Sequence, residues 1–378
     1  MAISGKDAHP TVTDVAEQAG VSRATASRVL GKYGVVNGET RDRVQRAADK
    51  LGYVPNELAR AMRAGNTRIL GLIITEIGLS FFDLAVRGVI DSARRHGYQV
   101  LVANTYEDLV AEQESVRLML EKRVDGFILV PSNVLDLSHL AATHLKGKPV
   151  TLLDRKLAGL PMPSITADNT RGVHDALNYF RERGHERIGL AVTSAAIQGD
   201  TSHRPPHLIS TVDDRVNAYF DYLATADLEV DDRWVRYCGA DEASTRAAVR
   251  SILTAPNPPT ALLASNSNMA LAAVFVAKDL GLVIGRDISL IGFDDAPWTT
   301  VTTPSLTVIV LAVEEMADLA VTNLIAQIES PQAPHQSVIL STRLLERESV
   351  ADLRPQLNRP HPSRSHPSRS SLSNEGTP

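Results

Sequence analysis

The sequence predicts an α/β protein in two parts: a small all-helical head, then a core of two doubly wound lobes built on parallel sheets. Three observations carry this. The 378 residues exceed what a single hydrophobic core ordinarily serves. From Arg68 onward, apolar runs of strand length alternate with amphipathic helical stretches, the pattern of parallel sheets covered on both faces. Before Arg68 the apolar residues recur only at helical spacing. The expected divisions are a head over 1–54, a short helix over 55–67, a core over 68–352 and a tail over 353–378.

In the head, Thr11 and Asp14 have capping-box spacing, and Val12, Val15, Ala16 and Ala19 form one apolar face. Gly20 supplies a left-handed stop. Ser22 caps a second helix whose Ala26, Val29 and Leu30 face inward. A third begins at Asn37, buries Val44, Ala47, Ala48 and Leu51, and stops at Gly52. In "YVPNELARAMRAGNT", Pro55 interrupts, Asn56 caps, and two turns run to Gly65, too few to be stable alone.

In the core, strands are expected at "ILGLIIT", "YQVLVAN", "DGFILVP", "PVTLLD", "RIGLAV", "WVRYC", "ALLAS" and "ISLIGF". Helices are expected at 81–96, 108–122, 169–183, 212–226, 242–254, 268–280 and 312–329. Eight strands are too many for one comfortable sheet, so two lobes facing a cleft are the economical arrangement. Residues 193–211 read as a mobile loop longer than most such connections. The tail repeats "HPSRS" at 361–365 and 366–370, has almost no apolar residues, and is expected to be disordered.

Composition is that of an ordinary soluble globular protein, 43% hydrophobic and 22% charged. No apolar run approaches the ~20 residues of a membrane span, and no apolar stretch of a signal peptide stands at the N-terminus. The lone Cys238 leaves no internal disulfide framework, fits a reducing cytoplasm and reads as a packed thiol in a strand. The net charge of −5 conceals a division: residues 1–67 carry +3, residues 353–378 also +3, and the middle −11. A basic head on an acidic body places any contact with a polyanion on the head.

The second head helix shows how. With Ala26, Val29 and Leu30 inward, Arg23, Ala24, Ser27 and Arg28 form the outward stripe, beginning at the helix N-terminus. A recognition helix presents side chains to base edges in the DNA major groove in this way, and Arg bonds guanine O6 and N7 as a fork. Thr11, Ser22 and Thr25 can donate hydroxyls to phosphates, and helix-start amides add to them.

These segments resemble a known family. "TVTDVAEQAGVSRATASRVL" followed by "VNGETRDRVQRAADKLGYVPNELARAMRAGNT" is similar to the headpiece and hinge of the lactose-repressor (LacI/GalR) transcription regulators. The likeness continues in "FFDLAVRGVIDSARRHGYQVLVANT", "RVDGFILVPS", "PVTLLDR", "RGHERIGL", "SNSNMAL" and "ISLIGFDD", covering about residues 11–349. It implies a helix-turn-helix headpiece, a hinge helix and a periplasmic-binding-protein-like core. It further implies a homodimeric repressor of double-stranded operator DNA whose affinity is changed by a small molecule in the cleft, with no catalytic residues, cofactor, metal or membrane partner. Carried across residue by residue, Arg23, Ala24 and Arg28 take the base-reading positions. Met62 occupies the place of a Leu that wedges between base steps in the minor groove. Asn37 and Asn56, caps in this reading, complete the DNA-facing set.

Positions resembling the family's effector site are Phe81, Phe82, Asp154, Arg215, Asn266 and Asp294. Carboxylates and an Arg around a cleft suit a polyhydroxylated ligand, so a sugar or sugar derivative is expected, with Trp298 as a further apolar wall. Singly, Phe81 and Phe82 also read as core, Asp294 as a cap and Arg215 as a solvated helix start. The chain departs from the family pattern at Leu79-Ser80, Ser267, Val310-Leu311 and Asp241. Asp241 stands where an aromatic often stacks on a sugar ring, which favours a ligand with an extra hydroxyl or an amine. Two alternatives stay open: a solute-binding protein, and an effector of another class such as a nucleobase. An enzyme would need acid/base groups, and Asp294-Asp295, adjacent on an extended strand, would point to opposite faces.

Overall fold

The computed structural model describes residues 10–31, 33–53, 66–132, 136–141, 145–160, 162–194, 197 and 199–354. Asn56, Met62, most of the expected hinge helix and the tail beyond Arg354 lie outside them.

The head comprises α1 (Val12–Ala19), α2 (Arg23–Leu30) and α3 (Gly38–Leu51). The Thr11 amide donates to the Asp14 carboxylate at 2.7 Å and the Asp14 amide to the Thr11 hydroxyl at 3.4 Å, closing the capping box. Gly20 ends α1 at φ +61°, a conformation only glycine adopts without a Cβ penalty. Ser22 and Asn37 cap α2 and α3 as expected. Val15, Ala16, Ala19, Ala26, Val29, Val44, Ala47 and Ala48 form the head core. Leu30 and Leu51, expected inside, are half-buried at its rim.

The core has two sheets. The first lobe holds β1 (Ile69–Ile74), β2 (Gln99–Asn104), β3 (Gly126–Leu129), β4 (Val150–Leu153), β5 (Ser164–Ala167) and β12 (Val338–Leu340), in the order β12-β5-β4-β3-β1-β2, every pair parallel. The second holds β6 (Ile188–Thr193), β7 (Asp200–Thr201), β8 (Val235–Cys238), β9 (Ala261–Ala264), β10 (Ser289–Phe293), β11 (Thr307–Val310) and β13 (Arg343–Leu345), in the order β13-β11-β10-β9-β6-β8-β7. Only its end pairs, β11 with β13 and β7 with β8, are antiparallel. Helices α4 (Ser80–Arg95), α5 (Leu109–Glu121) and α10 (Val313–Glu329) cover the first sheet. The second is covered by α6 (Asn169–Glu182), α7 (Ser210–Thr225), α8 (Glu242–Leu253) and α9 (Ser267–Asp279). The chain passes between lobes after β5, β11 and β12. A Cβ on Gly88 would stand 2.7 Å from the Ala317 Cβ, so this glycine permits the close packing of α4 on α10.

All eight expected strands and all seven core helices are present. Five further strands escaped the sequence reading: β5, "SITA", mixes polarity; β7, β12 and β13 have only two or three residues; β11 directly follows the turn "TTPSL". The segment 193–211, expected as a mobile loop, contains β7, which pairs with Cys238 and Tyr237 of β8. Arg204 further ties it to Asp213 at 2.6 Å and Asn217 at 2.8 Å on α7. Among the described residues no helix is long and apolar enough to cross a membrane.

Candidate functional site

Two surfaces answer to the expected functional residues. On the head, Arg23, Ala24 and Arg28 are exposed on one side of α2, and neither Arg has an ion-pair partner among the described residues. Gly34, at φ +72°, lets the following loop lie against the Arg28 stem; a Cβ there would stand 3.4 Å from the Arg28 Cδ. The remaining polar residues are engaged by the protein itself. The Thr11 hydroxyl donates to the Asp14 carboxylate at 2.9 Å, Ser22 and Thr25 hydroxyls share a bond at 2.9 Å, and the Asn37 Oδ1 accepts the Thr40 amide at 2.8 Å. Ser27 lies within the stripe, half-buried, and is bonded to the Tyr33 hydroxyl at 3.1 Å. Tyr33, half-exposed beside the stripe, was not singled out from sequence because no helical period reaches it.

Between the lobes lies a cavity of about 800 Å³. All six expected effector residues line it, brought there by the carboxyl ends of the strands, where open α/β sheets hold ligands. Asp154 directly follows β4 and Asp294 directly follows β10, one from each lobe, both in the left-handed region at φ +66° and +72°. Aspartate is among the few residues that visit this region readily. Asn266 caps α9, accepting the Met269 amide at 2.9 Å, and its Nδ2 donates to the Thr193 hydroxyl at 2.6 Å. Phe81 and Phe82, near the start of α4, meet edge to face with centroids 5.1 Å apart.

Arg215 is not a solvated helix start. It is buried in α7, its Nε donates to Asn169 Oδ1 at 2.8 Å, Nη1 donates to the Ser265 carbonyl, and the guanidinium lies 3.7 Å over the Phe293 ring. A cation so held is fixed in direction before any ligand arrives. Burial lowers its pKa, opposed by the Asp294 and Asp154 charges. Burial pushes the Asp154 carboxyl up to about 6, against the pull of Arg155 and Arg215 and with the help of the Asp294 and Glu107 charges. Asp294 is likewise raised by burial, with Arg215 opposing.

Sequence reasoning missed a second charged group in the cleft. Arg155, buried, grips Glu107 through both terminal nitrogens at 2.7 and 2.6 Å, and also donates to the Pro131 carbonyl at 2.7 Å. Glu76, half-buried, has its pKa raised by burial and then by the Glu107 charge. Arg155 stood next to Asp154 in "PVTLLDR", a visible signal. Glu107 reaches it through consecutive left-handed residues, Tyr106 and Glu107, which no periodicity announces.

Four other expectations are placed. Asp241 lines the cavity but also caps α8, accepting the Ser244 amide at 2.9 Å, and the hydrogen bonds from Ser244 lower its pKa. Trp298, expected as a wall, does not line the cavity; its Nε1 donates to Ser267 Oγ at 3.2 Å from behind. Asp295 turns away from Asp294 to pair with Arg347 at 2.7 Å. Cys238 is fully buried, and burial pushes its thiol up to about 12.

Comparisons with known proteins agree with this division. Residues 11–56 match the family model "Bacterial regulatory proteins, lacI family", and residues 177–350 match the "Periplasmic binding protein-like domain". The HTH-type transcriptional repressor PurR of Serratia proteamaculans is 30% identical over 343 residues, 90% of this chain and 97% of its own. The crystal structure of the lac repressor dimer bound to operator and the anti-inducer ONPF superposes with a TM-score of 0.78. It is 26% identical, over 91% of this chain and 100% of that one. A complex of the transcriptional regulator CelR with cellobiose gives 0.65 at 27% identity, over 90% and 99%.

Proposed function

Since the chain belongs to the lacI family of bacterial regulatory proteins, and is a DNA-binding transcriptional repressor of that family, we propose that Arg23 and Arg28 read its operator while a small polyhydroxylated effector, a sugar or sugar derivative, sets the affinity from the cleft. The protein acts as a homodimer in the cytoplasm, on double-stranded DNA. One observation carries the reading of the cleft. Asp154 and Asp294, from opposite lobes, and a prealigned Arg215 converge on one cavity, so a ligand bonded to all three favours one arrangement of the lobes over others.

Movement of the first lobe has a path to the head. The Asp125 carboxylate accepts the Thr67 amide at 2.9 Å and the Arg68 amide at 2.8 Å, clipping the chain that leaves the hinge to the sheet. Support for the dimer comes from β2, an edge strand with an open backbone ladder. Leu101 and Val102 are exposed on it, with Tyr106, Val110 and Leu118 nearby.

The test is a mobility shift of the full chain on its best operator with and without candidate sugars. Coupling of this kind is typically about 1–3 kcal/mol and must be reciprocal. A hit should lose affinity in both Arg215→Ala and Asp294→Ala and change operator binding in the intact protein. Should nucleobases alone shift the operator equilibrium, the sugar reading fails while the repressor assignment stands.

A further inference from the structure

Five carboxylates line the cleft, Glu76, Glu107, Asp154, Asp241 and Asp294, against two guanidiniums, Arg155 and Arg215. Of the two, Arg155 is not available to a ligand anion without losing a partner, and Arg215 is available only through Nη2. Both terminal nitrogens of Arg155 are held by Glu107 and Pro131. Arg215 is held by Asn169 and Ser265 through Nε and Nη1, which leaves Nη2 as its one donor nitrogen without a partner among the described residues. The carboxylates are in the opposite condition. Asp154 is only 8% exposed, yet no donor among the described residues reaches its oxygens within hydrogen-bond distance. Its nearest cationic atom, Arg155 Nε, stands 3.8 Å away and is itself buried without a hydrogen-bond partner. Glu76 accepts no hydrogen bond from a described residue either.

The Asp154 carboxylate is thus bonded by no donor among the described residues and opens onto the cleft, where its remaining acceptor capacity is free for a ligand. The ends of β1, β2 and β4 therefore gather more negative charge and more empty acceptor sites than the protein satisfies. Hydroxyls alone would fill the acceptors but leave the charge. A phosphate or carboxylate on the ligand would add to it.

We infer that the effector is a small hydroxylated cation, an amino sugar or comparable polyhydroxylated amine, whose ammonium is received by Asp154 and Glu76 while its hydroxyls face Arg215, Asn266 and Asp294. This rests on reading the cleft as the effector site. It narrows that reading from polyhydroxylated ligands in general to those carrying a basic nitrogen.

The experiment is isothermal titration and thermal shift of the full chain with three matched probe sets: glucosamine, galactosamine and mannosamine; glucose, galactose and mannose; glucuronate, galacturonate and glucose 6-phosphate. At least one amine should bind about tenfold or more tighter than its neutral parent, the advantage of one charge-assisted contact, and the acids and the phosphate should not bind. In Glu76→Gln the ratio of amine to parent affinity should fall at least threefold. The wild-type ratio decides the matter even if that variant is poorly folded. The inference is overturned if a neutral or anionic probe binds as tightly as its amine, or if no amine binds. A neutral probe that binds and is lost in Arg215→Ala and Asp294→Ala would sink the amine but keep the cleft. Binding that survives both substitutions would sink the cleft reading itself.

Discussion

Replacing Asp154 with Asn removes a carboxylate that the fold ionises reluctantly, and the consequence for stability has a definite sign. The folded carboxyl titrates at about 6, against 3.8 for the ordinary group. Because the folded value is the higher one, the native state binds the extra proton between these limits. The stabilisation is complete below 3.8 and is lost as pH rises through 6. A rise from 3.8 to about 6 corresponds to about 3 kcal/mol. Asn cannot titrate, so the variant should gain about 3 kcal/mol on wild type between pH 4 and 7. For a core of this size that is a relative rise of several degrees in melting temperature. Urea unfolding at half-unit pH steps, followed by tryptophan fluorescence, gives the difference directly. Parallel profiles for the two proteins, within about 0.5 kcal/mol across that range, would refute the argument that burial without donors governs Asp154. The same reasoning extends to the ligand: an effector whose donors reach Asp154 stabilises the ionised form, so its affinity should decline on acidification from pH 7 to 5.

Arg28→Ala should weaken operator binding by about 1–3 kcal/mol and relax preference at one base pair per half-site, read by mobility shifts on single-base variants. Thr11→Ala opens the capping box of α1 and should destabilise the head by about 0.5–2 kcal/mol, measured by amide exchange across residues 12–30. Cys238, buried and with its thiol displaced upward by burial and then by the Asp200 and Asp241 charges, should resist Ellman's reagent at pH 8 until the chain unfolds. Reaction in the native state within minutes would place the thiol at the surface instead.

The sequence by itself determined the parts made of local signals. Capping residues at Thr11, Ser22 and Asn37, the left-handed stop at Gly20 and the apolar period of three short helices required no distant contact to be read, and the head folds accordingly. Long apolar runs such as "GLIIT" and "ISLIGF" likewise announced fully buried parallel strands, because burial on both faces removes any need for alternation. The six cleft residues were legible only jointly, through the resemblance, since each alone also fits a core or capping role. Tertiary structure alone decided what those residues do in one another's presence. It buried Arg215 over Phe293 between acceptors from α6 and the end of β9, and it withheld donors from Asp154. It also joined Arg155 to a Glu107 that lies 48 residues earlier in the chain. It set the Tyr33 hydroxyl against Ser27 in the stripe and Trp298 behind Ser267. Edge strands of two or three residues were invisible for the same reason: their hydrogen bonds are made to partners far along the chain, as β12 to β5. Propensity and periodicity report what a residue prefers with its neighbours in sequence, whereas solvation and charge depend on neighbours in space, and only the fold supplies those.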